Sequence, residues 1–170
     1  MSLDIGSVIT PGNENAFTVG ERRKNVTLAD LPDSHRPLLE GPITAVMGTM
    51  TASGRIQLTP VWCNHDGTHV NLNSVKGRVK DRNMRERPDI ALLLLNPENP
   101  YHWMSINGRV VDVVDEDDSA RGYLATENID DLAELYVNQR PYPFRDPKRG
   151  ETRVLYKLEP THILTFGSAE

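Results

Sequence analysis

Residues 71–94, Asn71-Leu72-Asn73-Ser74-Val75-Lys76-Gly77-Arg78-Val79-Lys80-Asp81-Arg82-Asn83-Met84-Arg85-Glu86-Arg87-Pro88-Asp89-Ile90-Ala91-Leu92-Leu93-Leu94, join three kinds of local signal in one run. A strand-like stretch ends near Ser74, a basic segment of helical length follows, and Pro88 separates it from the apolar run Asp89 to Leu95. Proline lacks the amide hydrogen that an interior helical turn needs, so a helix over 78–87 stops there. Residues 76–87 hold six of the 19 Lys and Arg residues and two acids, a local charge of +4. The other 158 residues carry 13 bases against 22 acids, or −9. A positive island after a strand, in an acidic chain, points to a docking place for a phosphate or another polyanion.

Outward from this block, strands dominate. Ile43 to Thr51 reads as one strand, with turn chemistry at Ala52-Ser53-Gly54. Arg55 to Asn64 alternates Ile56, Leu58 and Trp62 against Gln57, Thr59, Val61 and Cys63. Asp66-Gly67 is a hairpin signal leading into His69 to Leu72. Asp89 to Leu95 reads as a buried strand, and Tyr101 to Val114 as a longer one with a bulge or bend at Gly108. Residues 117–138 have helical spacing in two halves, broken near Glu127-Asn128; residues 139–152 form a proline-rich loop. Arg153 to Leu158 and Thr161 to Phe166 read as two last strands around Pro160. About seven strands joined by short turns predict a small antiparallel barrel, which buries strands without leaving long edges. Leu28 to Leu39 allows short helical pieces between Pro32 and Pro37, and the polar residues 1–27, with Pro11, Gly12 and Gly20, form an N-terminal tail or arm. The domain proper is 28–170.

Composition narrows the function classes. A chain of 170 residues fits one domain with a core. No run approaches the 18 or so apolar residues of a membrane span, and Met1 to Gly6 has no secretion-signal character. A single cysteine, Cys63, fits a reducing compartment. The net charge of −5 argues against bulk nucleic-acid binding. The expectation is a soluble cytoplasmic protein with no nucleic-acid or membrane partner.

For the basic segment, helical spacing places Lys80, Asn83 and Arg87 on one face and Arg78, Arg82 and Arg85 on another. Ser74 and Lys76 precede the helix, where free backbone N–H groups and the dipole favour an anion. The same bases read equally well as a solvated helix face. Thr59-Pro60 marks an edge or bulged strand whose free backbone suits a flat ring, or simply an edge-strand proline. Trp103, in Tyr101-His102-Trp103-Met104, suits stacking on a cofactor or partner subunit, or packing in a core. The five histidines form no Cys/His cluster, so no metal site is expected. Cys63 reads as a small buried hydrophobe, and the acid run Asp115 to Asp118 as a helix start. Nucleophile-elbow, P-loop and dinucleotide-binding glycine patterns are absent.

In this order the features resemble the split β-barrel family of flavin- and deazaflavin-binding proteins, the pyridoxamine 5′-phosphate oxidase-like superfamily. Within it they are most similar to the actinobacterial branch described as F420-dependent oxidoreductases. The resemblance spans roughly residues 30–167 and rests on ITAVMGTMTASGRIQLTPVWC (43–63), the block 71–94, YHWMSINGRVVDVV (101–114) and PYPFRDPKRGETRVLYKLEPTHI (141–163). It implies an FMN-binding-type split antiparallel β-barrel with short flanking helices, forming a homodimer with cofactor sites at the subunit interface. Ser74, Lys76, Arg78, Lys80 and Asn83 would hold the cofactor phosphate. The strand through Gln57, Thr59, Pro60 and Val61 would run beside the ring, and Trp103 would approach from the other subunit. The implied cofactor is F420, with FMN as the alternative. F420 carries an acidic oligoglutamate tail, which Arg78, Arg82 and Arg85 could serve. The implied activity is hydride transfer to or from a small unsaturated organic substrate. An FMN-dependent oxidase or reductase and a non-catalytic flavin- or deazaflavin-binding protein are the alternatives. No catalytic side chain stands out; a proton would come from water, Tyr101 or His102. The N-terminal arm and the 139–152 loop would cover the substrate pocket or extend the dimer contact.

Overall fold

Strands make up most of the regular structure of this chain, and among the described residues α-helices occupy three segments. The computed structural model describes residues 2–9 and 18–167. Its elements are β1 (Leu3–Ile9), β2 (Thr18–Val26), α1 (Arg36–Glu40), β3 (Ala45–Met50), β4 (Ile56–Val61), β5 (Cys63–His65), β6 (Val70–Val75), α2 (Val79–Glu86), β7 (Asp89–Leu95), β8 (Trp103–Asp115), α3 (Tyr123–Val137) and β9 (Arg153–Phe166).

Strand pairing runs β4-β3-β7-β8-β9-β6-β5. Only Trp62 lies between β4 and β5, so the chain itself joins the two ends of this path. The expected 55–64 strand is therefore two hydrogen-bonded halves, one on β3 and the other on β6. That division is the split of a split barrel. The expected arm also enters the sheet. β1 pairs antiparallel with β2 and parallel with the second half of β9, from Asp4 opposite His162 to Val8 opposite Phe166. The sheet is thus not wholly antiparallel, and the hairpin covers a β9 edge that β6 leaves open beyond Leu158. The Pro11-Gly12 part of the arm lies outside the described residues.

Three further boundaries differ from expectation. β9 is one strand, because Pro160 sits at a bulge: His162 pairs with Asn107 and Pro160 with Gly108, skipping Thr161. A Cβ on Gly108 would lie 2.6 Å from the Glu159 carbonyl oxygen, so only glycine permits that approach. α3 is one helix, because Asn128 is held by the sheet: it donates to Asn64 and accepts from Asn73, both at 3.2 Å. The acid run does not begin a helix; Asp115 ends β8, and residues 116–122 lead to α3.

The interior is filled by Met47, Leu72, Met84, Leu92, Leu94, Met104, Ile106, Tyr156, Leu158 and Ile163, all essentially inaccessible. β7 is buried on one face only: Ile90, Leu92 and Leu94 point in, Ala91, Leu93 and Leu95 out. On β4 the larger apolar residues face outward, Ile56 at 68% and Leu58 at 70% exposure. Register places Met50, Gly48 and Val46 beside Ile56, Leu58 and Pro60, and Leu93 beside Val46. One outer face of the barrel is consequently a contiguous apolar surface.

Candidate functional site

Gly77, at φ +82°, turns the chain from β6 into α2. Asp81 stabilises that turn, accepting from the Gly77 N–H at 2.7 Å, the Arg85 Nε at 2.7 Å and the Tyr156 hydroxyl at 2.5 Å. Burial would raise the Asp81 carboxyl, but these donors hold it below its usual range. With α2 fixed, its bases divide by partner. Lys76 lies between Asp115 and Asp117, each at 3.0 Å, and these bonds raise its pKa. Arg85 bonds Asp81 and Asp115. Arg87 pairs with Glu86 and donates to the Met50 carbonyl at 2.9 Å, and Arg82 donates to the Gly77 carbonyl. Asn83 is buried and joins helix to sheet, donating to Thr49 at 3.0 Å and Gln57 at 3.2 Å.

Lys80 is different. It is half-buried, and its ammonium makes no hydrogen bond or ion pair among the described residues. Desolvation lowers its pKa, and the nearby charges of Arg78 and Arg153 lower it further. It lines a cleft of about 320 Å³ with Thr44, Pro60, Val61, Trp62, Asn73 and Arg153, closed on the far side by Ile129, Leu132, Tyr142 and Phe144. Arg153 is only 5% exposed, and its Nε has no partner. Its guanidinium covers the Tyr142 ring at 4.4 Å. Near this wall Asn73 Oδ1 and Ser74 Oγ are also buried without partners. The unpaired Arg153 Nε and Ser74 hydroxyl, as buried donors beside an unneutralised cation, suit an anion carrying several oxygens.

The rest of the cleft is aromatic. Trp62 stacks on Tyr136 at 4.9 Å and meets Tyr142 edge-on at 6.4 Å. The Tyr136 hydroxyl donates to the Ile43 carbonyl at 2.8 Å and accepts from the Cys63 N–H at 3.2 Å, which fixes the corner between β4 and β5. Burial pushes the Cys63 thiol up to about 11, away from thiolate chemistry. The 139–152 loop is pinned by Arg145 on Glu116 and by the Tyr142 N–H on Asp130 at 2.8 Å, which sets Tyr142 and Phe144 beside the cleft.

Of the residues the sequence singles out, Pro60, Val61 and Lys80 line the cleft, and Arg78 stands at its charged end through Glu151 at 3.4 Å. Ser74 lies next to the lining residue Asn73 with its hydroxyl unsatisfied. Gln57, Thr59, Lys76, Asn83 and Trp103 are not among the lining residues of their own chain. The Lys76 ammonium is paired with Asp115 and Asp117, the Asn83 amide nitrogen donates to Thr49 and Gln57, and Trp103 stacks on Phe166 at 5.5 Å. Neither suggested proton source lines the cleft: Tyr101 is exposed, and His102 is buried 4.6 Å from the His35 ring. Sequence reasoning missed Arg153, Tyr142 and Phe144. The one available signal was an arginine opening a strand otherwise built for burial.

A family model described as pyridoxamine 5′-phosphate oxidase matches residues 31–166. The chain belongs to that family. The family comprises flavin-binding oxidoreductases and shares the sheet-dominated fold described above. Among solved structures, an F420 reductase is 26% identical with a TM-score of 0.63, covering 78% of this chain and 98% of its own. A conserved hypothetical protein from Mycobacterium tuberculosis is 17% identical with a TM-score of 0.56, covering 73% of this chain and 76% of its own. The heme storage protein HutZ from Vibrio cholerae is 14% identical with a TM-score of 0.54, covering 75% of this chain and 88% of its own. No curated protein matches the chain. Among the described residues no helix is long and apolar enough to cross a membrane, and no group of three or more metal-ligating side chains occurs.

Proposed function

We propose that the protein is an oxidoreductase that binds coenzyme F420 and transfers a hydride to or from a small unsaturated organic substrate, as a homodimer in the cytoplasm. The observation that carries this reading is Lys80, a half-buried cation with no acid partner among the described residues, beside the unpartnered Nε of Arg153. The likeness to an F420 reductase supports the choice of cofactor. The cofactor, when bound, supplies the redox chemistry. Lys80, Arg153 and Arg78 hold its phosphate, with the Ser74 hydroxyl as a further donor. Backbone at Pro60 and Val61 lies along its ring, and Trp62, Tyr142 and Phe144 keep water from the reacting face.

The apolar outer face supports the dimer. Ile56, Leu58, Met50, Val46, Leu93 and Leu95 lie on neighbouring strands and remain exposed. Pro60 belongs both to this face and to the cleft wall, so a second copy seated on the face borders the site and can bring its own Trp103 toward it.

FMN is the second reading, and one observation favours it. Of the three arginines suited to the acidic tail of F420, Arg85 is already paired with Asp81 and Asp115. Titrating the purified protein with F420 and with FMN, following fluorescence, ranks the two; binding of neither sinks the redox reading. Turnover of reduced cofactor over a panel of enones and quinones separates an enzyme from a non-catalytic carrier.

A further inference from the structure

Among the described residues one carboxylate is ion-paired to the cation cluster of the cleft, and that carboxylate is poorly seated. Glu151, the second-last residue before β9, is largely buried and lies between two guanidinium groups. Its Oε1 is 3.4 Å from Arg78 and its Oε2 is 3.6 Å from Arg153. Charge-assisted bonds of this type normally close to about 2.7–2.9 Å. Two other partly buried pairs of this molecule do: Arg145 reaches Glu116 at 2.6 Å, and Arg85 reaches Asp81 at 2.7 Å. Glu151 therefore neutralises Arg78 and Arg153 loosely and leaves Lys80 without a partner.

We propose that Glu151 is an internal counter-anion that a ligand's phosphate displaces from Arg78 and Arg153. The proposal rests on the phosphate-site reading given above. Three cations and one loose carboxylate leave an excess of positive charge, which a phosphate with several oxygens neutralises at shorter range. Glu151 holds the two guanidinium groups in place without the ligand and competes with it during binding. A ligand that lacks a phosphate gains nothing from displacing it. Glu151 thus tempers the affinity for phosphate-bearing ligands and leaves that for their phosphate-free fragments unchanged.

The test compares wild type with Glu151→Gln, Glu151→Ser and Lys80→Ala, using FMN and riboflavin as one probe pair and F420 and its phosphate-free deazaflavin fragment as the other. Affinities are read by fluorescence at low and at physiological salt. Both Glu151 variants should bind the phosphate-bearing probe about tenfold tighter at low salt, with the gain shrinking as salt screens the cluster, and should bind the phosphate-free fragment unchanged. Unchanged or weaker binding in both, with Lys80→Ala still weakened, overturns the role of Glu151 and leaves the phosphate site standing. Unchanged binding in Lys80→Ala removes the phosphate site and the proposal with it. The serine variant guards against a glutamine that hydrogen-bonds the arginines as Glu151 does.

Discussion

The Arg145 guanidinium grips the Glu116 carboxylate with two hydrogen bonds, of 2.6 and 3.1 Å. Glu116 also accepts from the Thr126 hydroxyl at 2.6 Å and the Arg153 N–H at 3.0 Å. One carboxylate thereby ties the 139–152 loop, the start of α3 and the first residue of β9 together, and so places Tyr142, Phe144 and Arg153 around a single cleft. Burial alone would raise the Glu116 carboxyl, but these donors bring it from 4.5 to about 2. Because the folded-state value is depressed, the stabilisation is present above about pH 4.5 and is lost as pH falls toward 2. Glu116→Gln should cost about 1–2 kcal/mol at neutral pH and weaken cofactor binding. Its melting temperature should also fall less steeply than wild type between pH 4.5 and 2. Thermal melts across that range check both points; parallel curves refute the clamp.

Lys80 should trade stability for binding. Burial and two neighbouring cations lower its pKa, so the folded state disfavours its charge. With the folded value below the unfolded one, stability rises with pH across the interval between them. Lys80→Met keeps the stem and removes the charge. It should raise the melting temperature by about 1–4 °C while abolishing affinity for a phosphate-bearing cofactor. A variant that melts lower than wild type would show that Lys80 is structurally satisfied.

Most of the barrel was legible because its signals are local: the apolar run 89–95, Asp66-Gly67 at a hairpin, and Pro88 closing α2. The errors share one cause, the arrival of distant partners. Pro160 and Asn128 read as breaks, yet Gly108 accommodates the first and Asn64 and Asn73 hold the second. Lys76, read as a phosphate ligand, also carries ion pairs to Asp115 and Asp117, some 40 residues away. Arg153 was invisible because its surroundings come from a loop, a helix and a neighbouring strand.

The outer apolar face makes a separate prediction. Leu58→Glu places a charge opposite Gly48, at the most exposed apolar side chain of this face. A dimer formed through this face should dissociate to monomer, read by sedimentation, with little change in the far-ultraviolet spectrum. Cofactor affinity should fall in parallel if the partner borders the cleft through Pro60. A wild type that sediments as a monomer removes the dimer from the reading altogether.

The turn that presents Lys80 depends on a buried phenol. The Tyr156 hydroxyl donates to Asp81 at 2.5 Å, and both groups are inaccessible to water. Tyr156→Phe leaves Asp81 with the Gly77 N–H and Arg85 as donors, so the buried carboxylate loses one of three. That should cost about 1–3 kcal/mol, read as a lower urea midpoint with an unchanged slope. Asp81→Ala should cost more, because it frees the Gly77 N–H and the Tyr156 hydroxyl together and leaves Arg85 only Asp115. Since Asp81 fixes the start of α2 and Lys80 is its neighbour, Asp81→Ala should also weaken phosphate binding at temperatures where the protein is fully folded. If Tyr156→Phe loses stability while keeping wild-type affinity, the phenol supports the core alone and α2 is positioned by Asp81 with its remaining partners.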